Sequence, residues 1–236
     1  MIKNLINLSN NQFPKTSIVN IWRKIITSAN NFEQPIKIAV HNPKNISDLN
    51  YLTKEYYSNE IPIINYDSCN KIIFELENNN CQIGIFTLPN NDENTIKEDI
   101  KDNWWIALAN NKIGVKIFAL IPFIENTQNN KNQHNLRLIA TAIKKPEKSS
   151  NDNTIISIET DKNISKTQLI SAFKELNINA KILKSVEIFQ FDSIKFYLVE
   201  IEGFYLENDE IIKKLEQIKF KPFIKILGHF ATPIKI

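Results

Sequence analysis

Residues 195–228, KFYLVEIEGFYLENDEIIKKLEQIKFKPFIKILG, contain the pattern of a strand, a helix and a second strand. Apolar and β-branched residues dominate both ends of this stretch, and its middle repeats apolar residues at helical spacing. With the residues before it, the predicted elements are strand 154–159, helix 165–176, strands 180–189 and 195–202, helix 209–218 and strand 223–227. This order, βαββαβ, is that of the ferredoxin-like split motif. Gly203 and Gly228 are expected where strands turn out of the sheet.

The preceding part of the chain alternates short β-rich runs with helical patterns, which indicates βαβ units on a largely parallel sheet. The predicted strands are 36–41, 61–64, 81–86, 115–121 and 136–143, and the predicted helices are 47–57, one that begins at Asp67 or Ser68, and 99–109. Residues 144–153 (KKPEKSSNDN) are charged and almost without apolar side chains, so we interpret them as a linker. The expected fold class is α/β, with a small, mostly parallel lobe over 35–147 and a ferredoxin-like domain over 152–236.

An amphipathic helix is predicted over residues 17–32, with Ser17 as its N-cap. Its apolar face contains Ile18, Trp22, Ile25, Ala29 and Phe32. Pro35 ends the pattern, since the residue before a proline is disfavoured in a helix. So narrow an apolar face has to pack against the following domain or a second copy of the helix.

Composition and charge exclude several classes of protein. The net charge of +3 comes from scattered lysines rather than a basic patch, which argues against nucleic-acid binding. No apolar run approaches the ~18 residues of a membrane span, and the N-terminus lacks the features of a signal peptide, so a cytoplasmic protein without membrane contact is expected. Cys69 and Cys81 have no CxxC spacing and are interpreted as reduced, half-buried thiols.

Motifs for cofactor or metal chemistry are missing from the sequence. The glycines are isolated, so no phosphate-binding loop and no cofactor are expected. The histidines, His41, His134 and His229, fall in separate elements without a metal-binding spacing and are interpreted as surface or strand-end residues. No sequence elbow supports a nucleophilic triad.

Two local features allow a functional and a structural interpretation. Trp104 and Trp105 could stack on an aromatic ligand, but packing is favoured, with one ring in the core and the other covering an interface. Residues 41–45 (HNPKN) follow a predicted strand and precede a helix, where Lys44 could bind an anion such as a carboxylate. The alternative for this segment is an ordinary capped loop.

Two segments carry a resemblance to a known family. IWRKIITSANNFEQPIKIAV (residues 21–40) resembles the junction of bifunctional chorismate mutase–prephenate dehydratase proteins, where the last mutase helix leads into the first dehydratase strand. IEGFYLENDEIIKKLEQIKFKPFIKILGHFATP (residues 201–233) resembles the end of that family's ACT domain. The resemblance implies a mutase-like helix over 1–34, a reduced dehydratase-like domain over 35–147, an ACT-like domain over 152–236, and a homodimer.

The resemblance extends only in part to the dehydratase residues. The family's GPxGT-F loop matches residues 42–46 and its ENS element matches 89–91, where Asn90 is kept. Its TRF element matches 136–138, where Arg137 is kept but a leucine replaces the threonine whose hydroxyl serves the dehydration. Leucine cannot transfer a proton to a leaving group, so prephenate dehydration is not expected. Lys44, Asn90 and Arg137 remain candidates for binding a small carboxylate.

Candidates for the mutase site and for amino-acid binding also follow from the resemblance. Glu33 matches the Gln or Glu that the family places against the substrate's ether oxygen, and Arg23 and Lys24 are cations on the same helix. The other mutase helices have no counterpart in this sequence. Ser165 and Ser185 fall on the family's GAL and ESRP turns, which implies contact with an aromatic amino acid across a dimer interface.

We therefore expect a divergent, non-catalytic or regulatory homologue in phenylalanine biosynthesis, which needs neither a metal nor a cofactor. One alternative is a chorismate mutase that works with helices supplied by a partner. The other is an aromatic amino-acid binding module.

Overall fold

The structure is a computed structural model that describes residues 2–9, 12–89, 96–98, 103–125, 136–188 and 194–235. The helices in these ranges are α1 (Ile2–Leu8), α2 (Lys15–Glu33), α3 (Ser47–Tyr56), α4 (Cys69–Glu77), α5 (Trp104–Ala109), α6 (Lys166–Glu175) and α7 (Glu210–Glu216). The strands are β1 (Ile38–His41), β2 (Ile63–Tyr66), β3 (Ile83–Leu88), β4 (Ile96–Glu98), β5 (Val115–Ile121), β6 (Ile124–Glu125), β7 (Arg137–Ile143), β8 (Asp152–Asp161), β9 (Ala180–Ile188), β10 (Ile194–Glu202), β11 (Phe223–Ala231) and β12 (Ile234–Lys235).

One mixed sheet runs through both parts of the chain, in the order β2-β1-β3-β7-β5-β11-β8-β10-β9-β4. Strand β1 is parallel to β2 and β3, whereas β7 is antiparallel to both β3 and β5. From β11 to β9 the pairs are antiparallel. Strands β6 and β12 form a separate parallel pair. The predicted α/β class is confirmed, but the lobe over 35–147 is mixed rather than mostly parallel, because β7 runs antiparallel to both of its neighbours.

The last part of the chain forms the predicted βαββαβ arrangement, β8-α6-β9-β10-α7-β11. Its helices cover one face of the sheet over a buried cluster that includes Ile156, Phe173 and Leu215. The Ser165 hydroxyl starts α6 by accepting the Gln168 backbone N–H at 3.2 Å, and the Gln168 side chain accepts the Ser165 N–H at 2.8 Å. This capping box satisfies two donors that the helix start leaves unpaired.

Helix α5 packs against strands from both parts of the chain. The Trp104 ring stacks on Phe86 at 5.3 Å between centroids, and the Trp105 ring meets Phe196 edge-on at 6.4 Å. Trp104 Nε1 also donates to the Thr87 carbonyl at 3.0 Å. Both tryptophans are buried, so the expectation that one of them covers an interface is wrong. The helix is therefore surrounded by apolar side chains, which come from strands in both parts of the chain.

The N-terminal helix differs from its prediction in two respects. It begins at Lys15, directly after Pro14, so Ser17 lies inside the helix and does not cap it. Near its start, Ile18 packs against α1, whereas Ile25 is 50% exposed and Phe32 is 92% exposed. The predicted apolar face is therefore covered only over its first turns.

Gly228 lies within β11, although the sequence indicated a strand end there. Its φ angle is +144°, and a Cβ at this position would stand 2.2 Å from the Ile117 carbonyl oxygen. Gly228 and Ile117 lie opposite each other where β11 pairs with β5. Glycine is needed here because the two backbones touch and because side chains disfavour this φ. Gly203, by contrast, follows the end of β10 as expected.

Other side chains are more deeply buried than the sequence suggested. Cys69 and Cys81 are not joined in a disulfide, and both are fully buried rather than half-buried. His229 is buried within β11, with Nε2 2.6 Å from the Tyr205 carbonyl oxygen, so its interpretation as a surface or strand-end residue is wrong. Burial is the main cause that lowers the pKa of His229. His134 lies outside the described residues. In the described part of the chain, no helix is both long and apolar enough to span a bilayer.

Gly228→Ala should destabilise the protein by about 3–5 kcal/mol, because the new methyl group meets the Ile117 backbone and the φ is unfavourable. Gly114→Ala is the matched control, since its φ of +79° is also positive but no atom lies within 4 Å of the added carbon. That change should cost about 1–2 kcal/mol from backbone strain alone. Urea unfolding measures both values, and equal losses would contradict the close-approach explanation.

Candidate functional site

A cleft with a volume of about 420 Å³ lies between α2 and the end of α3. We call it the α2–α3 cleft. Helix α2 contributes Arg23, Thr27, Asn30 and Glu33 among others, and the end of α3 contributes Tyr56 and Tyr57. The remaining described lining residues are Ile26, Gln34, Ile36, Gln82, Ile83, Phe118 and Lys144. The helix α2 therefore forms one wall of a cavity with the α/β lobe.

Arg23 is the more buried of the two cations that line this cleft, the other being Lys144. Its guanidinium carbon lies 4.3 Å from the centroid of the Tyr56 ring and 4.8 Å from that of Phe123. Such stacking holds a guanidinium in place without neutralising it. Its buried Nε has no hydrogen-bond partner, and no carboxylate pairs with Arg23 within the described ranges.

Two neighbouring tyrosines complete this end of the cleft. The rings of Tyr56 and Tyr57 meet edge-on at 4.9 Å between centroids, and both side chains are more than nine-tenths buried. Burial raises the pKa of Tyr57 well above its usual value of about 10, and the Tyr56 hydroxyl raises it further while Arg23 opposes the shift. Burial likewise raises the pKa of Tyr56, while the Arg23 charge and a side-chain hydrogen bond with Arg23 oppose the shift. Both phenols therefore stay protonated at neutral pH and can donate a hydrogen bond.

The rest of the cleft combines apolar walls with two further charges. Ile83 and Phe118 supply apolar surface, Glu33 supplies a negative charge and Lys144 a positive one. Lys144 pairs with Glu147 at 3.0 Å, but both side chains are exposed, so water weakens this pair. The arrangement suits a small ligand whose apolar body lies on the walls and whose anionic group meets Arg23.

Arg23 and Glu33 both line this cleft, ten residues apart on α2, whereas Lys24 does not. Lys24 is exposed and is not among the described residues that line the cavity. The sequence did not indicate Tyr56 and Tyr57 as site residues. The signal that could have found them is the adjacent pair of hydroxyl-bearing aromatics at the end of a predicted helix, because a buried phenol needs a polar neighbour for its hydroxyl.

Arg137 is not available in the way that the resemblance implied. Its two terminal nitrogens contact the two carboxylate oxygens of Glu200 at 3.3 and 3.4 Å, and these side chains are only 17% and 10% exposed. Asn153 Nδ2 also donates to Glu200 Oε1, at 2.5 Å. The guanidinium at the start of β7 is therefore bound by a carboxylate from β10. The sequence did carry a signal for this partner, since Glu200 interrupts an otherwise apolar strand and a buried carboxylate requires a cation.

The other predicted site residues have various positions. Lys44 is exposed on a loop that the Asn42 side chain closes, by accepting the Ile46 N–H at 2.7 Å and donating to the Ile46 carbonyl at 3.1 Å. Ser165 is engaged in its helix cap. Ser185 is fully buried inside β9, as the strand predicted over 180–189 requires, so the turn that the resemblance implied for it is wrong.

Asn90 and metal binding are the two remaining predictions about the site. Asn90 lies outside the described residues. Across the described ranges, no group of three or more His, Cys, Asp or Glu side chains could hold a metal ion.

Comparison with known proteins identifies a shared fold. No protein-family model and no curated protein sequence matches this chain. Prephenate dehydratase from Streptococcus mutans superimposes with a TM-score of 0.55 and 14% identity, over 85% of this chain and 100% of that one. Prephenate dehydratase from Arthrobacter aurescens, solved in complex with L-Phe, superimposes with a TM-score of 0.54 and 11% identity, over 83% of this chain and 90% of that one.

A third solved structure has a different stated activity. GqqA, described as a novel type of quorum quenching acylase, gives a TM-score of 0.57 and 14% identity, over 84% of this chain and 96% of that one. At such low identities the likeness establishes a prephenate dehydratase-like fold and nothing about chemistry.

Glu200→Ala should destabilise the protein by about 2–4 kcal/mol, because it leaves the Arg137 guanidinium largely buried and unpaired. Replacing both partners, as Arg137→Met with Glu200→Met, should cost less than Glu200→Ala alone, since no charge is then left buried. Thermal or urea unfolding of the set measures the difference. Glu147→Ala, from the exposed pair with Lys144, serves as the control and should change stability little. A double variant less stable than Glu200→Ala would contradict this account.

Proposed function

We propose that this protein is a non-catalytic, ligand-binding relative of prephenate dehydratase that serves a regulatory role in aromatic amino-acid metabolism. The single observation that carries the proposal is the pair between Arg137 and Glu200. The shared fold supplies the context, and the α2–α3 cleft supplies a place for a ligand.

Dehydration would need two groups that this chain does not offer at the matching positions. Leu136 has no hydroxyl to assist the leaving group. Arg137 could bind a substrate carboxylate only by releasing Glu200, which would then remain buried without its cation. Breaking such a pair is strongly unfavourable. The leucine at position 136 and the ion pair between Arg137 and Glu200 thus both act against dehydration.

The proposal includes the organisation implied by the sequence. Residues 1–34 form a mutase-like helical segment, 35–147 a reduced dehydratase-like domain and 152–236 an ACT-like domain. We further infer a cytoplasmic homodimer that binds a small carboxylate or an aromatic amino acid. The L-Phe complex of the Arthrobacter aurescens enzyme supports this ligand class by analogy of fold.

The purified protein should form no phenylpyruvate from prephenate above the uncatalysed background. An active prephenate dehydratase under identical conditions provides the positive control, and phenylpyruvate is quantified by chromatography. Phenylpyruvate formation that Arg137→Ala abolishes would contradict the proposal, because it would show that Arg137 serves a substrate.

A second candidate function is chorismate mutase activity with helices supplied by a partner chain. The observation that favours it is that Arg23 and Glu33 line one cleft. Catalysis of this rearrangement depends on charges placed around the substrate, so Glu33→Ala should lower the rate of chorismate loss about 100-fold. The exposed Lys54→Gln is the control and should leave it unchanged. No consumption of chorismate by the unmodified protein would exclude this candidate.

A further inference from the structure

We propose that residues 233–235, which we call the β12 strap, hold helices α1 and α2 against the rest of the protein, and that the two helices detach together when the strap is released. Because α2 forms one wall of the α2–α3 cleft, this motion opens the cleft. The inference goes beyond the proposed function, since it concerns access to the cleft and does not depend on the identity of a ligand.

A small apolar cluster is the main attachment of the two helices. Ile2 and Ile6 of α1 pack with Ile18 and Val19 of α2. The partly buried side chains around them are those of Leu5, Trp22, Phe123, Ile124 and Ile234. Among the described residues of this cluster, those outside the two helices belong to β6, to the residue before it, or to the strap.

The strap is itself attached through a very short strand pair. Ile234 lies opposite Ile124 in the two-residue parallel pair of β12 and β6, which is separate from the main sheet. The Ile234 backbone N–H donates to the Phe123 carbonyl at 2.9 Å, and just before the strap the Thr232 N–H donates to the Asn151 carbonyl at 2.9 Å. An isolated pair of strands is marginally stable in water, so the strap and the helices packed on it stabilise each other.

Helix α2 buries little of its surface elsewhere. Of its nineteen residues, the buried ones are Ile18, Val19 and Thr27. Ile25 and Phe32, further along the helix, are exposed. Helices in proteins are stabilised mainly by packing of an apolar face, so a helix with this little burial opens at a lower free energy than the strands of the main sheet.

Phe123 connects the strap to the cleft. Its carbonyl accepts the Ile234 N–H, and the Arg23 guanidinium lies over its ring at 4.8 Å from the centroid. Arg23 also lies over the Tyr56 ring at 4.3 Å, so this one side chain joins α2 both to α3 and to the residue that holds the strap. Release of the strap removes Ile234 from beside Phe123 and thereby loosens the α2 wall of the cleft.

The chain after α2 can act as the hinge of this motion. Gln34 has extended backbone angles, with φ −146° and ψ 120°, and Pro35 follows it. Ile38 is fully buried at the start of β1. The two helices can therefore detach by rotation between Gln34 and Ile38 while β1 stays in the sheet.

Hydrogen exchange of the backbone amides, measured by mass spectrometry on the full chain, tests the strap. In the unmodified protein, α1 and α2 should share one level of protection, lower than that of β8 and β10, because they open together without global unfolding. Ile234→Ala should speed exchange in both helices about 10-fold and leave β8 and β10 unchanged, since an apolar side chain is lost from the cluster. The exposed Lys235→Ala is the matched control in the same strand and should change neither helix.

Trypsin reports the same motion independently within α2. The bonds after Arg23 and Lys24 lie inside the helix, so cleavage there follows the population of the open form. Ile234→Ala should speed cleavage at these bonds about 10-fold, whereas Lys235→Ala should not. Ile124→Ala, in the facing strand, should act like Ile234→Ala, and it keeps the test decisive if that variant fails to fold.

The inference is overturned if α1 and α2 exchange as slowly as β8 in the unmodified protein, or if Ile234→Ala affects α1 without α2. It is also overturned if Ile234→Ala leaves both helices unchanged or speeds exchange equally throughout the chain. Phenylpyruvate formation or chorismate consumption concerns the proposed function instead and leaves these exchange results standing.

Discussion

The backbone contact between Gly228 and Ile117 is the constraint on which the rest of this structure depends. At this point β11 meets β5 so closely that a Cβ would lie 2.2 Å from a carbonyl oxygen. The contact joins strands from the two parts of the chain into one sheet. Trp104 and Trp105 then pack across the junction, with Phe86 on one side and Phe196 on the other. Removing apolar surface of this size from water stabilises the joined arrangement.

The joined sheet has an electrostatic consequence at Arg137 and Glu200. The two residues are 63 positions apart in sequence and belong to different parts of the chain, yet their side chains form a largely buried pair. Each charge is acceptable in its place because the other compensates it. A guanidinium that the family resemblance would assign to a substrate is thus used to hold the protein together, which is the physical basis of the proposed non-catalytic role.

Arg23 presents the opposite situation. Aromatic rings hold it in place, but no described acid neutralises it, and the nearby Tyr57 hydroxyl is also unpaired. The two arginines of the chain thus differ in what holds them, a carboxylate for Arg137 and aromatic rings for Arg23.

The sequence by itself determined the βαββαβ domain and the helix that Pro35 follows, but not the short elements α1, β4, β6 and β12, because hydrophobic periodicity and helix-stop signals act over a few residues and need a run of some length. Ser165 fell at a helix start for the same local reason. Only the tertiary structure decided that Gly228 lies inside a strand, that both tryptophans are buried, and that Phe32 is exposed on α2. The tertiary structure also decided that Arg137 is the arginine paired with a buried carboxylate, that of Glu200. These outcomes depend on contacts between residues distant in sequence, and whether a buried charge or a close backbone approach is stable is set by atoms that no local pattern can specify.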